Sequence, residues 1–251
     1  MNKAKVKWTR EELILALYLY YVTPFSKISA SRNDEIKGLA SIIGRSASAV
    51  ALKMVNFASL DSRLKQRNIS GMKNASKADS AIWNEFNGKW ESLAQHREEV
   101  LINLHPLPAN AETDKIITGM DIETISKTRI NQTFFRKAVL GAYDQQCCIT
   151  GISTPELLIA SHIVPWAVDK QNRVNPCNGL CLNALHDKAF DAGLITITPD
   201  LKVKISTKIK NQTMAFKNFF SMYEEKTINL PNKFLPSPEF LDFHNKKIFR
   251  K

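Results

Sequence analysis

Two histidines and an asparagine, His162, Asn178 and His186, stand along the chain in an order that suits hydrolysis of a phosphodiester. That reaction needs a base to take a proton from water and a cation to neutralise charge on the phosphate and the leaving oxygen. An imidazole that titrates near neutrality suits the first task, and a positioned general base is worth roughly 10² to 10⁴ in rate. His162 is therefore read as the base, His186 as a metal ligand, and Asn178 as the group that holds a loop or orients His162.

Short elements must carry these groups. The apolar run Leu157 to Ala160 predicts a buried strand that delivers His162 to its end, where Pro165 stops further pairing. Asn178-Gly179 is a turn signal, and Leu180 to Leu182 is the returning strand. Asn183 can cap a helix with His186 in its first turn, and Gly193 supplies a left-handed stop. The expected unit is strand, loop, strand, helix.

The composite Ser161-His162-Ile163-Val164-Pro165-Trp166, Asn178-Gly179-Leu180 and His186-Asp187-Lys188-Ala189-Phe190-Asp191-Ala192-Gly193-Leu194 resembles an HNH nuclease core. Arg129, Gln132, Phe135, Arg136, Val139, Leu140 and Tyr143 upstream, and Phe240 to Asn245 downstream, are similar to segments flanking the core in bacterial restriction-like members. The resemblance implies a ββα-metal fold, DNA cleavage and one divalent ion, Mg²⁺ or Mn²⁺. It also exposes a departure: many HNH enzymes carry Asp or His before the catalytic histidine, and this chain has Ser161. Asp191 is expected to complete a metal set with His186, its structural alternative being bonds to backbone amides after the helix. Asp187 is expected to face elsewhere.

The four cysteines, Cys147, Cys148, Cys177 and Cys181, lie in or beside this core. Their spacing lacks the usual C-x-x-C knuckles, so buried thiols are expected rather than a structural zinc. A formal charge of +11 favours an anionic partner, and nucleic acid is the simplest one. The longest apolar run, Leu13 to Val22, is too short to cross a membrane, which needs about 18 residues. A buried helix in a cytoplasmic protein is the expectation.

The first 70 residues hold twelve Lys or Arg against five Asp or Glu, +7 of the total charge. Thr9 and Glu12 form a capping-box pattern that opens a helix over Arg10 to Tyr21. Further helices are predicted over Asp34 to Ile43 and Ala47 to Phe57, separated by Gly44-Arg45-Ser46. This tri-helix, spanning 8–58, is similar to Myb or SANT modules through Trp8-Thr9-x-Glu11-Glu12 and Ile43-Gly44-Arg45-Ser46-x-x-Ala49-Val50. It reads as a helix-turn-helix whose Arg45, Ser46, Ser48, Lys53 and Asn56 contact DNA. A protein-interaction bundle with a solvated basic face is the alternative.

Trp83, Phe86, Trp90 and Leu93 predict one amphipathic packing helix within 73–95, and Leu194 to Ile197 with Val203 to Ile205 a hairpin. Lys202, Lys204, Lys208 and Lys210 lie on or just beyond it. Arg173, in the loop before Asn178, and Arg136 are further phosphate candidates. The reading is an α+β protein: a helical DNA-binding module over 1–102, a linker over 103–124 and an HNH nuclease over 125–251. Its expected role is restriction or phage defence, acting on DNA as a homodimer, without a membrane. The alternatives are a DNA-binding regulator with a degenerate core and an RNA-cleaving toxin.

Overall fold

A computed structural model describes residues 7–62, 64, 75–104, 119–209 and 213–251, with the backbone alone at 119–126. The chain divides into two compact units, and the division falls between Phe134 and Phe135.

The N-terminal unit is helical. Helices α1 (Arg10–Val22), α2 (Asp34–Ile42), α3 (Ala47–Leu60), α4 (Lys77–Phe86) and α5 (Trp90–Leu104) follow in order. The Thr9–Glu12 capping box starts α1, and every residue from Leu13 to Val22 is buried, so α1 is apolar on all sides and serves as the axis of the unit. It packs against each of α2 to α5. Tyr21 meets Trp90 edge-on at 5.0 Å and Trp83 at 5.7 Å. Gly44 takes φ +65° between α2 and α3, which meet at 107°. Among the described residues no single helix is long and apolar enough to cross a membrane.

One helix was expected across 73–95, and two are observed. Asn87 caps α4 in an extended conformation and Gly88 takes φ +87°, so Asn87-Gly88 turns the chain between Phe86 and Trp90. Residues 105–118 of the expected linker lie outside the described residues. Its last positions, from Gly119, already belong to a long helix, α6 (Gly119–Ala142). The division between units falls inside α6.

The C-terminal unit is built on two small antiparallel hairpins. Strand β1 (Leu158–His162) pairs with β2 (Gly179–Asn183), which runs directly into α7 (Ala184–Asp191). Strand β3 (Ile195–Ile197) pairs with β4 (Val203–Ile205), followed by α8 (Met214–Phe219) and α9 (Pro238–Lys247). Asn183 caps α7 by accepting the His186 N–H, and Gly193 ends the helix region at φ +68°, both as the sequence predicts. The whole is a mixed α+β chain. Lys204 and Lys208 are exposed on or beyond β4, Lys202 is half-buried, and Lys210 lies outside the described residues.

Candidate active site

The β1–β2 register sets the positions of the two histidines. His162 stands opposite Gly179, and Leu158 stands opposite Asn183. Because Asn183 caps α7, His186 stays at the Leu158 end of the hairpin. At about 3.3 Å per residue, the two ends lie roughly 13 Å apart along the strand. The fold does not bring the two imidazoles together.

At the first end, the half-buried His162 donates from Nε2 to the Arg173 carbonyl at 2.9 Å. A carbonyl only accepts, so the proton is on Nε2 and Nδ1 carries the lone pair. Nδ1 has no hydrogen-bond partner among the described residues. Burial lowers the pKa of His162 below the ordinary histidine value, opposed in part by the Arg173 carbonyl. The ring is neutral at neutral pH, the form a base requires. Phe135 of α6 stacks on its face at 3.8 Å and 7°, and Trp166 closes its edge at 5.5 Å.

Asn178, fully buried, acts on the loop rather than on the imidazole. Its Oδ1 accepts the Val164 N–H at 2.8 Å, and its Nδ2 donates to the carbonyls of Val164 at 3.1 Å and Asn172 at 3.4 Å. Its own carbonyl accepts the Ile163 N–H. It thus ties down both flanks of the loop that presents the Arg173 carbonyl. Arg173 donates from Nε to the Trp166 carbonyl at 2.8 Å and spreads over the Trp166 ring at 5.0 Å. Its terminal nitrogens have no hydrogen-bond partner among the described residues, beside the base. Arg136, on α6, is exposed, and its charge acts on Cys181.

His186 is arranged differently from the expected ligand. It is 1% exposed. Its Nε2 donates to the Phe219 carbonyl at 2.7 Å, and Nδ1 takes the Asn183 Nδ2–H at 2.9 Å. The rings of Phe220 and Tyr223 stand edge-on to it. Both nitrogens are used, so no lone pair remains for a metal in this arrangement. The same Asn183 amide lies 3.6 Å from Cys147 Sγ. Burial pushes that thiol up, but its polar surroundings outweigh this and set the pKa at about 7. Burial drives Cys181 up to about 12.

Asp191 keeps its candidacy and gains a companion. Partial burial and then the charge of Asp187, one helical turn back, raise the Asp191 pKa. A pair of mutually repelling carboxylates suits an ion that prefers oxygen. Separately, the buried Ser161 Oγ has no partner among the described residues. No three His, Cys, Asp or Glu side chains converge on one point among the described residues.

Residues 147–198 match the family model of the HNH endonucleases. The matched segment holds β1, the Asn178 loop, β2, α7 and β3, so the HNH domain contains all three residues singled out by type and spacing. It implies nuclease activity and a nucleic acid substrate. No curated protein matches the chain. The HNH domain draws on Phe135, outside the match, a contact that sequence reasoning noted only as part of a flanking similarity.

The DNA contacts expected in the N-terminal unit are largely turned to other uses. Lys53 is 7% exposed and pairs at 2.7 Å with the wholly buried Asp79 of α4. Asn56 is buried beside it. Arg45 binds the Glu12 carboxylate with two nitrogens and the Lys7 carbonyl with one, over the Trp8 ring at 4.4 Å. Lys53 and Asn56 face inward because α4 packs on that side of α3, which the α3 sequence alone does not show. Ser46 caps α3 by accepting the Ala49 N–H, and Ser48 is exposed.

Proposed function

We propose that this chain is a metal-dependent DNA endonuclease in which His162 is the general base. The observation that carries the reading is the Nε2–H bond to the Arg173 carbonyl, which leaves the Nδ1 lone pair available at a half-buried site. Nδ1 takes a proton from water as the water oxygen bonds to phosphorus and an ester oxygen leaves. Asn178 keeps the loop fixed so that this tautomer persists, and the Arg173 guanidinium binds a phosphate oxygen. Asp187 and Asp191 would hold one Mg²⁺ or Mn²⁺. When bound, the ion neutralises charge on the phosphate and on the leaving oxygen.

Helices α2 and α3 meet within the range seen for helix-turn-helix pairs, and the basic charge of the first 70 residues supports a DNA-binding role for that unit. With Lys53 and Asn56 inward, the exposed Ser48 and the backbone at the start of α3 are the remaining contacts there. One HNH domain cuts one strand, so a homodimer on DNA matches the symmetry of a double-strand break. A restriction or phage-defence role fits this arrangement.

The test is incubation of the purified chain with supercoiled plasmid and, in parallel, with structured RNA, with and without Mg²⁺ or Mn²⁺. Metal-dependent nicking or linearisation of DNA is expected, flat above the ordinary histidine range and declining as pH falls through the lowered pKa of His162. Cleavage of RNA alone would select the toxin reading. Binding without cleavage would select the regulator with a degenerate core, the reading that the occupied His186 favours.

A further inference from the structure

Cross-strand partners in an antiparallel pair share one face of the sheet, so Gly179 and the His162 ring look the same way. That side meets α6. A methyl group on Gly179 would collide with Val139 and stand 3.0 Å from Phe135 Cζ. The missing side chain lets α6 descend onto the hairpin, and at this separation the Phe135 ring lies flat on the imidazole. Phe135 is only 2% exposed, so packing locks its own orientation.

The plane of the imidazole matters because the Arg173 carbonyl meets Nε2–H only in that plane. A quarter-turn about the Cβ–Cγ bond would swing Nε2–H out of line with the carbonyl. Nothing would then keep the proton on Nε2 and the lone pair on Nδ1. The single hydrogen bond to Arg173 fixes one point of the ring, which is not enough to fix its plane.

We propose that Phe135 is a positioning residue for His162, acting with Gly179 to hold the imidazole so that Nε2–H meets Arg173 and Nδ1 serves as the base. The proposal rests on the nuclease reading of the site. Phe135 lies outside the matched residues 147–198, so the HNH domain needs the end of α6 to be complete. A leucine would fill similar volume and supply no plane.

The experiment combines ¹⁵N imidazole spectra at about pH 8, where a histidine is ordinarily neutral, with plasmid cleavage kinetics. In the unaltered protein, His162 should show a single Nε2–H tautomer and ring protons moved upfield by the Phe135 ring current. Phe135→Leu should lose the upfield shift, populate both tautomers and lower kcat roughly tenfold to a hundredfold with KM unchanged, since Phe135 does not reach the substrate. Gly179→Ala, which keeps the phenylalanine but pushes α6 off the hairpin, should give the same signature if Phe135→Leu does not fold. Val139→Ala, on the same helix but not stacked on the imidazole, should lower Tm and keep the single tautomer. The proposal is overturned if the unaltered protein lacks the upfield shift, if tautomer and kcat survive both Phe135→Leu and Gly179→Ala, or if Val139→Ala scrambles the ring equally. If the spectra are as expected while no metal supports cleavage, the ring placement stands and the nuclease reading fails.

Discussion

His162 and His186 occupy opposite ends of one hairpin, and the difference between them lies in how many ring nitrogens the protein uses. At the His162 end one nitrogen is spent on a carbonyl and the other keeps its lone pair. At the His186 end both are spent, on Phe219 and Asn183, beneath the rings of Phe220 and Tyr223. A buried imidazole with both nitrogens engaged stabilises structure, whereas one with a free lone pair can move a proton. Residue type alone does not separate the two cases.

The largest expected effect tests the open end. His162→Ala should slow cleavage by roughly 10² to 10⁴ with Tm nearly unchanged, measured on supercoiled plasmid and by thermal unfolding. Retained cutting would remove His162 from the chemistry and end the contrast. His186→Ala should do the reverse, destabilising the fold because the Phe219 carbonyl loses its donor, at about 1–3 kcal/mol. Denaturant titration measures this. A stable variant with weakened metal affinity would show that His186 turns outward and binds the ion.

The same distinction between engaged and available groups applies to Lys53 in the N-terminal unit. Lys53→Ala leaves Asp79 buried without its cation and should cost about 3–5 kcal/mol of stability. A folded variant with Tm unchanged and weaker, less salt-dependent DNA binding would restore Lys53 as a phosphate contact.

His244 provides a third histidine with both nitrogens bonded, to Thr196 Oγ1 at 2.8 Å and the Phe190 carbonyl at 3.2 Å. Burial holds its pKa at about 4, against the Phe190 carbonyl, which acts the other way. The unfolded chain takes up a proton near pH 6.5 and the folded chain does not. Its contribution, about 3 kcal/mol, is therefore complete above pH 6.5 and is lost as pH falls towards 4. His244→Leu should flatten the stability profile over that window. An unchanged slope would place the acid sensitivity elsewhere.

Local chemistry was legible where it depended on neighbours in sequence. The Thr9 capping box, the Asn183 cap, the helix stops at Gly44 and Gly193, and the strands carrying His162 and Leu180 follow from residue type and short spacing. Asn87-Gly88 was equally local, yet the aromatic stripe across it suggested one continuous helix because two helices on the same core share a stripe.

By itself the sequence determined the strand, loop, strand, helix unit and the identity of its polar residues, because caps, turns and alternation act over a few residues. Only the tertiary structure decided which of those residues stay available. α4 turns Lys53 inward, the segment around Phe219 occupies His186, and α6 lays Phe135 on His162 through the space left by Gly179. Each outcome depends on a partner distant in the chain, and burial favours bonding between a polar group and such a partner because water no longer competes for it.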